Sequence, residues 1–102
     1  MKYKNVKTTV DGFKFDSKKE ANRYCNLKLL QKAGEISELE MQPKYPLTVN
    51  GVIVATYIAD FRYVIKGFIN YTVEDVKGVK TPVYRLKKKL MKAIYKIDIL
   101  ET

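Results

Sequence analysis

The stretch from Tyr57 to Gly78 constrains this chain more than any other. Tyr57-Ile58-Ala59-Asp60-Phe61-Arg62-Tyr63-Val64-Ile65 and the segment Ile69 to Gly78 are rich in β-branched and aromatic residues, with Lys66-Gly67-Phe68 between them. That composition predicts two strands joined by a tight turn at Gly67. A carboxylate interrupts the apolar run in each arm: Asp60 in the first, Glu74-Asp75 in the second, with Lys77 two residues further on. Asp is a poor strand former and an unpaired buried carboxylate is costly, so these positions need a reason.

Strand register sharpens the point. With Gly67-Phe68 as the loop of a type II′ turn, Asp60 lies directly across from Asp75, their Cβ atoms roughly 4.5–5.5 Å apart on one face. A Lys66-Gly67 loop makes Val73 the partner of Asp60 and keeps Asp75 on the same face as its diagonal neighbour. A one-residue slip would bring Glu74 over instead. Lys77 shares the face of Asp75 either way. Two carboxylates and an ammonium converging there would form a divalent-metal site with a charge-stabilising lysine beside it.

At 102 residues the chain is expected to be one domain, residues 1–102, large enough for a single core. No apolar run approaches the roughly 20 residues that span a bilayer, and Met1-Lys2-Tyr3-Lys4-Asn5 lacks the apolar region of a signal peptide. Cys25 is the one cysteine, which excludes an internal disulfide and a multi-cysteine zinc site and makes a reducing, cytoplasmic setting the expectation. Histidine is absent, so Ser-His, Cys-His and His-metal chemistry are excluded. Any catalysis falls to carboxylates, lysines and tyrosines with a hard, oxygen-preferring cation. Twenty Lys+Arg against eleven Asp+Glu, a net charge of +9, point to a polyanionic partner, nucleic acid before an anionic membrane surface.

Residues 1–7 carry Lys2, Lys4 and Lys7 without pattern and read as a mobile basic arm. Thr8 to Phe15 reads as a hairpin turning at Asp11-Gly12, a type I′ signal. Ser17-Lys18-Lys19-Glu20 matches a capping box that opens a helix through about Ala33, with Gly34 as its stop. Glu20 either caps or leans toward the sheet as a further metal-site carboxylate. Helical spacing places it above Tyr24 and Leu27, at the edge of the apolar arc formed with Ala21, Cys25 and Leu29, with Cys25 a core filler. Ile36 to Val49 is strand-like but broken by Pro43 and Pro46, and Gln42-Pro43 either carries a polar amide to a substrate or is a solvated loop. Asn50-Gly51 is a second hairpin turn. Thr81 caps and Pro82 opens a last helix to about Tyr95, whose expected apolar face is Val83, Leu86, Leu90, Ala93 and Ile94. From Lys80 to Lys96 it carries Lys80, Arg85, Lys87, Lys88, Lys89, Lys92 and Lys96 and no acid, a pattern suited to phosphate contact and otherwise to a solvated face. Ile97 to Leu100 reads as a closing strand.

A helix bearing Glu20, central strands bearing Asp60 and Asp75-Val76-Lys77, a basic helix and a last strand together resemble the PD-(D/E)XK nuclease superfamily. The chain also looks like a small phage-encoded family within it, a likeness carried by Asp11-Gly12, Phe15 to Ala21, Gln42-Pro43, Tyr57 to Phe61 and Val73 to Gly78. The superfamily's Pro-Asp pair is Ala59-Asp60 here. The resemblance implies an α/β (α+β) fold with a restriction-endonuclease-like αβββαβ core, a mixed central sheet flanked by helices. It implies Mg²⁺-dependent cleavage of DNA phosphodiesters, with Mn²⁺ as a substitute, and kinship with junction-resolving and transposon-end nucleases acting as dimers. Asp60 and Asp75 would hold the metal, Glu20 would complete the acidic cluster, and Lys77 would orient water or stabilise charge. Glu74 stands as the alternative ligand to Asp75. Lys80, Arg85, Lys87, Lys88, Lys89, Lys92 and Gln42 would contact DNA, branched DNA among the candidates. The competing expectation is a non-catalytic basic DNA-binding protein with the same fold.

Overall fold

A computed structural model of the protein describes residues 7–102, so nearly all of the basic arm expected over residues 1–7 lies outside the described residues. Two Asx-Gly pairs make the first local decisions. Asp11 and Gly12 have φ of +51° and +79°, Asn50 and Gly51 +50° and +79°, the double left-handed geometry of a type I′ turn. They close the hairpins β1 (Thr8–Val10) with β2 (Phe13–Phe15) and β4 (Lys44–Val49) with β5 (Val52–Ile58).

Between these hairpins run α1 (Lys18–Lys32), capped where Ser17 Oγ accepts from the Glu20 amide, and β3 (Ile36–Met41). After them come β6 (Phe61–Ile65), β7 (Tyr71–Asp75), α2 (Pro82–Tyr95) and β8 (Leu100–Glu101). The fold is α+β. One four-stranded mixed sheet has the order β3-β6-β7-β8, antiparallel until β8, which joins β7 in parallel after the α2 crossover. Setting the hairpins aside, the order is α1-β3-β6-β7-α2-β8.

The central register pairs Phe61 with Glu74 and Val64 with Tyr71; the ladder ends there, and the Asp60 amide donates to the Glu74 carbonyl at 3.2 Å. The turn that achieves this is the Lys66-Gly67 alternative, not Gly67-Phe68. Phe68 N–H donates to Ile65 C=O, so Lys66 and Gly67 are the central residues, with Gly67 second at φ +89°. The loop then runs on to Asn70, so a longer connection produces the register expected of a two-residue one.

Three further expectations are corrected. Ile36 to Val49 is two strands in different sheets, parted at Gln42-Pro43. Tyr57 to Ile65 is likewise divided: β5 ends at Ile58, β6 begins at Phe61, and Asp60 lies in the crossing between sheets. That position explains a poor strand former there, since Asp60 occupies no ladder position. The closing strand is only Leu100–Glu101.

The core has two halves, one on each side of the sheet. Phe15, Ala21, Tyr24, Leu27, Ile36, Phe61 and Tyr63 pack under α1, while Tyr45, Leu47, Tyr57, Val73, Tyr84, Met91 and Ile99 pack under α2. The apolar arcs read from helical spacing are rotated. On α1, Ala21, Tyr24 and Leu27 are buried as expected, while Cys25 and Leu29 are exposed. On α2, Val83, Leu86 and Ala93 face solvent, Leu90 and Ile94 are half-buried, and Tyr84 and Met91 are buried. The large tyrosine and methionine take the space, and the shorter aliphatics are left outside.

Candidate active site

β7 is the element on which the site turns, because consecutive residues of a strand face opposite ways. Glu74 looks toward α1 and Asp75 toward α2, and both are buried.

Glu74 is held by four donors. Arg23 grips it in a fork, Nε to Oε2 at 2.6 Å and Nη2 to Oε1 at 2.9 Å, Tyr63 donates its hydroxyl at 2.5 Å, and Thr102 Oγ1 donates at 3.0 Å. A buried carboxylate so fully partnered ties α1, β6, β7 and the chain end together. Its fork holds the Arg23 guanidinium more firmly protonated than usual. Burial, followed by the bond to Glu74, pushes the Tyr63 hydroxyl up to about 12. Nothing in that pattern leaves an oxygen for a ligand, so the alternative of Glu74 in place of Asp75 has no geometric support.

The other face differs. Asp75 Oδ2 accepts the Tyr57 hydroxyl and lies 3.4 Å from Lys77 Nζ. Asp60 Oδ2 accepts from the Val76 amide at 2.7 Å, and Asp75 and Glu20 are close enough to act on its carboxyl electrostatically. Glu20 is buried, so the Ser17 half of the capping box forms while the glutamate turns to the sheet. Glu20, Asp60, Asp75 and Lys77 are therefore brought together, from α1, the β5–β6 crossing and the end of β7.

Asp60 and Glu20 are both held above the ordinary carboxylate range. Burial first, then Asp75, pushes the Asp60 carboxyl up to about 9, and Glu20 adds to this. Burial also raises Glu20, with Asp16 and Asp75 adding to it against Asp60 and Lys77. Burial leads in both cases, and neighbouring acids add to it. The donors are all oxygen, and a hard divalent cation is the partner that would favour the charged form of Asp60 and Glu20. Among the described residues no three acidic or sulfur groups form one ready ligand cage. Mg²⁺ usually takes one or two carboxylates plus water and substrate oxygens, and the Asp60–Asp75 pair fits that need.

Two clefts meet at this point, sharing Lys77 and Thr81. One, about 330 Å³, is lined by Asp16, Lys19, Glu20, Lys77 and Val79. The other, about 280 Å³, is lined by Thr56, Tyr57, Ile58, Val83, Tyr84 and Lys87. Tyr57 and Tyr84 are site residues that pattern reading did not single out. Tyr84 sits under Lys77, whose Nζ is 4.2 Å from the ring centroid. Burial first, then the bonded carboxylate, raises the hydroxyl of each: Asp75 for Tyr57 and Glu101 for Tyr84. The signal available was Tyr57's place three residues before Asp60.

The expected DNA-contacting set divides. Lys80, Arg85, Lys88, Lys89 and Lys92 line a cleft of about 530 Å³ on the side of α2 facing β8. Acids from outside the helix enter it: Glu101 meets Lys80 at 3.0 Å and Lys88 at 3.1 Å, and Asp98 meets Lys92 at 2.8 Å. The helix itself holds no acid, but its charge is partly answered from β8 and the preceding loop. Lys87 stands apart, beside the candidate site, donating to the Thr56 carbonyl at 2.9 Å. Gln42 is exposed, and its backbone amide donates to the Asp60 carbonyl at 2.9 Å.

No helix among the described residues is long and apolar enough to cross a membrane. Comparison with curated proteins and with solved structures finds no match. A family pattern covers residues 1–100, and the chain belongs to that family, described as "Protein of unknown function (DUF1064)".

Proposed function

We propose that this protein is a Mg²⁺-dependent DNA endonuclease of the PD-(D/E)XK kind, hydrolysing phosphodiester bonds. The observation that carries the reading is the convergence of Glu20, Asp60, Asp75 and Lys77 from three separate elements onto one crowded cluster, of which Glu20 and Lys77 line the adjoining clefts. A fold that gathers like charges at the expense of stability does so for a ligand of opposite charge. The +9 net charge and the lysines on both sides supply the attraction for a polyanion.

Asp60 and Asp75 are the residues that would hold the cation. When bound, Mg²⁺ supplies Lewis-acid polarisation of the scissile phosphate and a water of lowered pKa. The rest falls to the chain. The Tyr57 hydroxyl and Lys77 both address Oδ2 of Asp75, which fixes that carboxylate's orientation. Lys77, half-buried between the clefts, opposes the charge that grows on the phosphoryl oxygens. Glu20, whose proton affinity burial raises, is suited to receive the proton of the attacking water.

The test is cleavage of end-labelled DNA (four-way junction, nicked and linear duplex, single strand) in Mg²⁺, Mn²⁺ or EDTA, with wild type and Asp75→Asn. Metal-dependent cutting that the variant loses supports the reading. Salt-sensitive binding with no cutting of any substrate by wild type overturns it in favour of a binding protein.

A further inference from the structure

The cleft on the β5 side of Lys77 has an aliphatic rim that the proposed chemistry does not use. Ile58 and Val83 line it and are 51% and 62% exposed. Leu86, one turn along α2, is 58% exposed. The charges that line the cleft with Ile58 and Val83 are Lys77 and Lys87, the latter set between the two elements by its bond to Thr56. In a chain with 30% charged residues, Ile58 and Val83 left in water on a cleft that opens on the candidate site, with Leu86 beside them, mark a binding surface.

The choice of occupant follows from what lies against the rim. It is continuous with Lys77 and flanked by Lys87, so a ligand there presents both an apolar face and phosphate. Intact duplex turns phosphate and sugar outward and hides its base faces, so it has little to offer isoleucine or valine. Unstacked bases have both features, and aliphatic side chains are known to wedge between or against them. Resting on the nuclease reading of the same site, we infer that this rim receives bases of an unpaired or unstacked segment next to the bond to be cut. The substrate class is then branched, gapped or flapped DNA, not uninterrupted duplex.

The experiment uses the full chain with Ca²⁺ in place of Mg²⁺, so that binding is read without cutting. Its probes are a linear duplex and the same duplex carrying a three-nucleotide gap, with 2-aminopurine at the gap edge. Wild type is expected to bind the gapped DNA roughly tenfold more tightly and to raise the 2-aminopurine fluorescence. Ile58→Thr combined with Val83→Ser, both at exposed positions, is expected to abolish the preference and the fluorescence rise while leaving duplex affinity and its salt dependence in place. Equal wild-type affinity for both DNAs, or a preference untouched in the variant, overturns the inference. So does light scattering that shows a wild-type dimer which the double variant splits without loss of the preference, since the rim would then belong to a second copy. Gap preference lost in the variant, with no cutting of any DNA in Mg²⁺, sinks the nuclease reading and keeps this one. Cutting of gapped and intact duplex at equal rates by wild type and variant does the reverse.

Discussion

Asp60 and Glu74 show how differently one chain can treat two carboxylates. Glu74 has a donor for each oxygen, while Asp60 faces two other acids and one backbone amide. In metal-free protein the folded state keeps the Asp60 proton up to about 9, whereas the unfolded chain releases it near 3.8. Between those values the folded state binds more protons, so stability falls as pH rises from about 4 to about 9. Thermal melts in EDTA are expected to follow that slope, and Asp60→Asn to flatten it, gaining nothing at pH 4 and most at pH 9. Added Mg²⁺ should restore wild type at high pH and leave the variant unmoved. The residues of this cluster were readable because a carboxylate inside an apolar run is conspicuous. The tyrosines beneath them were not, since Tyr57 and Tyr84 in apolar stretches look like ordinary core.

At the scale of elements, the α1–β7 clamp determines where Glu20 sits. Arg23 lies one helical turn from Glu20, and its fork onto Glu74 fixes the helix against the strand whose next residue is Asp75. Arg23→Ala leaves a buried carboxylate without its cation and is expected to cost about 3 kcal/mol, read from urea unfolding. Both Asx-Gly turns and both helix caps were readable, because each depends on a few local residues with a fixed geometric demand. What escaped was tertiary. The sheet change at Ala59-Asp60 and the rotated faces of both helices are decided by which large side chains fill the two half-cores. Periodicity alone cannot weigh Tyr84 and Met91 against Val83 and Leu86.

For the whole molecule, the question is where its positive charge is available. Glu101 answers Lys80 and Lys88 and accepts from Tyr84 at 2.7 Å, and these bonds lower its pKa to about 2. Glu101→Gln is expected to tighten DNA binding and steepen its salt dependence, measured by anisotropy titrations across salt. Lys87→Ala is expected to weaken binding and reduce the logarithmic salt slope by about 1. The net charge was readable from composition, but its partition between two clefts was not, because the answering acids arrive from β8 and the loop before it. The central claim is that the two faces of β7 have different work, structure on the Glu74 side and chemistry on the Asp75 side. The most direct test is the Mg²⁺-dependent cleavage rate of a labelled DNA junction by folded Glu74→Gln and Asp75→Asn, each checked for native circular dichroism. The account predicts that Glu74→Gln lowers stability but cuts within a few-fold of wild type, while Asp75→Asn loses more than about 100-fold at unchanged stability. Equal losses in both variants, or a loss confined to Glu74→Gln, would contradict it.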